Sequence, residues 1–204
     1  MSTKKGRESL RSREFWEPMR EFYGASKMLT REDGEVHQRL RGVMRDGFSR
    51  EAVRGRYHEL AATIDDSISS KWRSGSEAPV VEAFQYMIVQ ELGEILTGSA
   101  PLEYVRDIRV NILYILNVLV TQVRPKFFLG LPEFKKANKR VEELSRDMII
   151  EFKAHAEKGT LPNNLLGDIM RAHIEHPDLV PETDLSLLLT CLLYTSPSPR
   201  DLYR

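Results

Sequence analysis

Apolar residues recur at spacings of three and four along almost the whole chain, the signature of amphipathic helices. Val36, Leu40, Val43 and Met44 share one side of a segment that Asp33-Gly34 opens and Asp46-Gly47 closes, which predicts a first helix. Val53, Tyr57, Leu60, Ile64, Ile68 and Trp72 predict a second, capped by Ser49 and ended by Ser74-Gly75-Ser76. A third is expected from about Phe84 to Leu96, stopping at Thr97-Gly98, and Ala78-Pro-Val-Val-Glu-Ala83 ahead of it reads as a short strand or a strand-to-helix entry. Pro101 suits the first turn of a fourth helix reaching about Gln122, apolar on most sides and so expected to be buried. Arg124 to Pro132 interrupts the pattern. Phe134, Ala137, Val141, Leu144, Met148 and Phe152 then mark a long fifth helix ending at Lys158-Gly159. Pro162 to Glu175 reads as a sixth, and Pro181 with Glu182 and Asp184 opens a seventh. The fold class expected is mainly α, with no internal repeat and no linker between domains.

Composition narrows what such a helical chain can do. Its 204 residues, 41% hydrophobic and 29% charged, suffice for one core. Lys plus Arg and Asp plus Glu each number 30, so no net field draws nucleic acid or an anionic bilayer. The opening MSTKKGRESLRSREF lacks an apolar core of the signal-peptide kind, and the longest apolar stretch, Val110 to Val120, is broken by Asn111 and Asn117. Neither a signal peptide nor a membrane span is expected, and the placement expected is cytoplasmic. A single cysteine, Cys191, builds no disulfide framework, in keeping with a reducing compartment.

The ending Cys191-Leu-Leu-Tyr-Thr-Ser-Pro-Ser-Pro-Arg-Asp201 matches, residue for residue, a transposase adapter from shotgun sequencing translated in frame. A natural Ser/Pro-rich terminus is the competing reading. On the adapter reading, 191–204 is a disordered tail outside the fold, 1–190 is part of a single domain, and the gene is interrupted inside the apolar run Leu185-Ser-Leu-Leu-Leu-Thr190.

The segment richest in candidate chemistry is Thr30-Arg-Glu-Asp-Gly-Glu-Val-His-Gln-Arg-Leu-Arg-Gly-Val-Met-Arg-Asp-Gly-Phe-Ser49. It puts His37 and Arg41 four residues apart, on one face of a helix. A planar guanidinium fork beside a directed imidazole N–H can grip a carboxylate. Spacing alone is equally met by two polar residues decorating a solvated face.

The wider string resembles the C-helix region of the cytochromes P-450, in which an acidic-Gly pair precedes a His-x-x-x-Arg helix that Phe-Ser closes. The matching residues are Asp33, Gly34, His37, Arg41, Phe48 and Ser49. The order of elements over roughly 14–190 is similar to the helical C-to-H portion of that fold, and Asn163 to Met170 with Leu179 to Leu185 look like its approach to the oxygen-binding helix. The resemblance implies that His37 and Arg41 bind the propionates of a haem b. It implies a parent monooxygenase that inserts oxygen into a small organic substrate. It also allows an electron-transfer partner, a ferredoxin or reductase, docking on Arg39, Arg45 and Arg50; an ordinary solvated surface is the plainer reading of those three. The chain departs from the family's pattern: it lacks the leading sheet-forming segment, the acid-Thr pair, the Glu-x-x-Arg motif and the loop with the axial thiolate cysteine, for which Cys191 is no substitute. Since that thiolate drives oxygen cleavage, this polypeptide is expected to be inactive by itself.

Two further groups stand out. Phe127-Phe128-Leu129, in the loop between two long helices, either packs inward or lines a substrate entrance or touches a bilayer. His173-Ile-Glu-His176 offers potential metal ligands, yet lacks a third placed one, and no metal site is expected. No phosphate-binding Gly-rich loop and no Ser-His-Asp or Cys-His set is found. The competing function is a non-enzymatic, all-helical interaction module whose amphipathic faces bind a protein partner.

Overall fold

A computed structural model of the protein describes residues 13–45, 49–72, 75, 77 and 79–194. These residues are mainly helical, and none of them forms a strand. In chain order the helices are α1 (Arg13–Phe22), α2 (Gly34–Met44), α3 (Arg50–Gly55), α4 (Tyr57–Lys71), α5 (Val80–Thr97), α6 (Val105–Ile115), α7 (Pro132–Glu157), α8 (Leu165–Glu175) and α9 (Glu182–Tyr194). Short 3-10 turns precede α6 at Leu102–Tyr104 and α7 at Lys126–Gly130.

The larger core lies where α2, α5, α7, α8 and α9 meet. Leu40, Leu96, Val141, Phe152, Leu166, Met170 and Leu185 are each at most 3% exposed there. A second core packs Met19 of α1 and Met28 against Ile115, Val118, Phe134 and Leu187. Every periodic residue expected on the fifth helix, from Phe134 to Phe152, is buried on α7. At the end of α8's approach, the Asn164 side chain accepts from the Gly167 amide at 2.9 Å, and the helix starts at Leu165, three residues beyond Pro162.

Four expectations change. The second helix is two, α3 and α4, broken at Arg56 (φ −104°, ψ 6°). The Arg56 guanidinium supplies the reason: it donates to the carbonyls of Glu94 at 2.7 Å and Ile95 at 3.3 Å, the negative end of α5, while its other edge grips Glu59. The expected strand or strand-to-helix entry before the third helix is instead the first turn of α5. The Pro79 carbonyl accepts from the Ala83 amide at 2.9 Å, and a strand there has no neighbour to pair with among the described residues; Ala78 lies outside them.

The fourth helix stops short of Gln122: α6 widens into a π turn at Leu116–Val120, Thr121 N–H reaches Leu116 O at 2.8 Å, and Gln122 sits at φ +54°. Finally, α9 continues to Tyr194, so Cys191–Tyr194 is helical where a disordered tail was expected. Helix propagation needs only one hydrogen bond per added residue, and Leu-Leu-Leu-Thr-Cys-Leu-Leu contains no breaker. Residues 195–204 lie outside the described residues.

Helix α1 follows from no expectation above. Pro18 inside it removes one backbone donor and hides the periodicity of Phe15, Met19 and Phe22. A polar brace holds it: the Glu17 carboxylate accepts from Arg20 and Arg31, and these cations, Arg20 foremost, hold its pKa down at about 2.

Candidate functional site

Helix α2 starts abruptly. Asp33 is extended (φ −123°, ψ 165°) and makes no side-chain cap, and Gly34 enters the helix at φ +63°, a conformation that glycine adopts without a Cβ penalty. Leu40 and Met44 then bury against the main core, with Val36 and Val43 beside them. His37 borders this apolar stripe and is half-buried, and Arg41 follows one turn later, exposed. The two are electrostatically coupled. Burial first, then the Arg41 charge, lowers the His37 pKa below the ordinary imidazole value, with Asp33 pulling weakly the other way. A neutral imidazole near pH 7 still offers one N–H, and a carboxylate arriving beside both groups relieves the repulsion that Arg41 exerts on the protonated ring.

The other sequence-selected residues scatter. Arg39 turns toward Asp178, 3.9 Å away, while Arg45 and Arg50 are exposed, and Phe48 lies outside the described residues. Phe127 is 68% exposed, whereas Phe128 and Leu129 pack on the second core, Phe128 with the Arg124 guanidinium 5.0 Å above its ring. His173 Nδ1–H donates to the Val180 carbonyl at 2.8 Å, which employs that nitrogen in closing the corner between α8 and α9. Glu175 and His176 are exposed, and no three residues of the metal-binding types cluster among the described residues. No described helix is long and apolar enough to cross a membrane.

Two polar arrangements had no counterpart in the sequence reading. Asn111, fully buried on α6, meets the Tyr23 hydroxyl at 3.4 Å and donates to Asn138 Oδ1 at 2.8 Å, and Asn138 in turn donates to Glu142 at 2.6 Å. Its only sequence signal is an asparagine inside an apolar run. Asp184, 2% exposed, receives three donors from the loop between α1 and α2. An open groove of about 410 Å³ runs between the Ser99–Tyr104 turn and Leu144, Asp147, Met148 and Glu151 of α7, apart from His37 and Arg41. Compared with protein-family models, curated proteins and solved structures, the chain finds no match in any of the three.

Proposed function

We propose that the chain is the helical portion of a haem-thiolate monooxygenase, with α2 as the grip on the propionates. The observation that carries this is the placement of a half-buried His37 and an exposed Arg41 one turn apart on α2, a donor set suited to a carboxylate. That set fits the carboxylate edge of a haem. The axial thiolate is another matter: Cys191, on α9, is the chain's one cysteine and is no substitute for it. In the intact parent the haem would supply oxygen cleavage, while His37 would orient its carboxylates through an N–H and the Arg41 guanidinium would neutralise them. Arg45 and Arg50, both exposed, are the cations left for an electron-transfer partner once Arg39 engages Asp178.

Reading the source DNA across Thr190 with gene-specific primers, without a transposase library, tests the proposal. A continuation carrying an acid-Thr helix, a Glu-x-x-Arg and a cysteine-bearing loop supports it; a continuation without them refutes it. The second reading, an all-helical interaction module, is favoured by apolar side chains that α4 and α5 leave uncovered. Tyr57, Ile68, Val80, Phe84 and Ile88 are each 42% exposed or more. That reading gains if Cys191 to Asp201 persists in the source DNA.

A further inference from the structure

The corner between α8 and α9 gathers tethers from four parts of the chain. His173 of α8 donates to Val180 O at 2.8 Å. Lys153 of α7 pairs with Glu182. Lys27, in the loop leading to α2, donates its ammonium to the Asp178 carbonyl, and Arg39 of α2 lies 3.9 Å from the Asp178 carboxylate. The centre is Asp184. Its Oδ1 accepts from the Ser26 amide at 2.6 Å, and its Oδ2 accepts from the Ser26 hydroxyl at 2.8 Å and the Lys27 amide at 3.0 Å. Thr183 Oγ1 adds a donor at 3.1 Å to Oδ1.

A carboxylate this deeply buried is tolerable only when its lone pairs are satisfied, and here the donors are supplied by residues more than 150 positions away in sequence. The donors are also directional: two adjacent backbone amides aimed at one carboxylate fix the path of the chain at 26–27. Met28 and Ala25 on either side are buried, so the segment cannot slide without opening the second core. Only a few residues further on, Asp33 and Gly34 begin α2.

We infer that Asp184 is a positioning residue: through its clamp on Ser26 and Lys27, it sets the seat of α2 and thereby the placement of His37 and Arg41. Arg39 on Asp178 is a second, weaker tether of the same helix to the same corner, exposed and 3.9 Å long. The N-terminal half of α9 is thus coupled mechanically to the anion grip. The consequence for a bound carboxylate rests on the reading of α2 given above; the clamp itself does not.

The test uses the full chain and needs no ligand. Asp184→Asn keeps the shape but turns an amide NH2 toward donors, and it is expected to speed exchange of the Ser26 and Lys27 amides at least about tenfold. The α2 amides should follow, while those of α7 keep their protection. The decisive readout is the His37 imidazole titration by NMR, because burial is the main cause of its depressed pKa: a loosened α2 raises the midpoint toward the ordinary value. Should Asp184→Asn unfold the chain, so that α7 exchanges equally fast, Ser26→Ala removes one donor and is read by the same two signals. Loss of protection at 26–27 with the His37 midpoint and α2 exchange unchanged, in whichever variant stays folded, overturns the coupling. Failure of the haem reading, decided by the source DNA, leaves these signals where they are.

Discussion

Helices α4 and α7 carry the same kind of apolar stripe and bury it very differently. On α7, Phe134, Ala137, Val141, Leu144, Met148 and Phe152 all lie inside, because α6, α8 and α9 cover that face. On α4, Tyr57 is 64% exposed and Ile68 42% exposed, and Leu60, Ile64 and Trp72 are half-buried. Among the residues of α4 whose burial is described, the buried position is polar: Ser67, whose hydroxyl donates to Gln90 of α5. Apart from the adjoining α3, the helix packed on it among the described residues is chiefly α5, which leaves Val80, Phe84 and Ile88 outward as well. Periodicity therefore reports that a segment is helical with a preferred side; how deeply that side is buried depends on how many other elements reach it.

Truncations should separate the two regions most sharply. Phe152→Ala is expected to destabilise the protein by about 3–5 kcal/mol, as loss of a buried ring and the cavity left behind require, whereas Ile68→Ala should stay within about 0.5 kcal/mol. Urea unfolding of the two variants decides it; equal losses would mean that α4 is as closely packed as α7. Glycines give a smaller contrast. A Cβ on Gly167 of α8 would lie 2.0 Å from the Pro162 carbonyl oxygen, so Gly167→Ala should cost more than about 1 kcal/mol. A Cβ on Gly42 of α2 meets nothing within 4 Å, and Gly42→Ala should stabilise by about 0.5–1 kcal/mol. Thermal melts that move in the same direction for both would contradict this packing difference.

The smallest effect expected is a pH dependence. His37 binds its proton less readily in the folded chain than unfolded, so its contribution to stability is complete above the unfolded pKa, about 6.5, and is lost as pH falls from there through the depressed folded value. Arg41→Ala removes the second cause and should raise the His37 midpoint while flattening that slope, as followed by NMR titration. An unmoved midpoint would show that the two side chains do not interact.

Much of the architecture is legible in the amino-acid order. The bounds of α7, the Gly98 stop of α5 at φ +80°, and the start of α9 after Pro181 all follow from local rules of periodicity and capping. The failures share a cause. Arg56 breaks a predicted helix to reach carbonyls nearly forty residues away, and Asn111 is a hub because Tyr23 and Asn138 converge on it. Of the candidate site, the shared face of His37 and Arg41 was readable from a spacing of four, and the electrostatic consequence was not, since it depends first on burial.

The amino-acid order by itself determined the helical class and which face of α7 turns inward, because these depend on neighbours within one or two turns. The tertiary structure alone decided that α4 would stay half-covered, that Asp184 would serve the α1–α2 loop and that α6 would end in a π turn. Each of these depends on which distant groups arrive to share a surface or satisfy a donor, and no local pattern encodes that arrival.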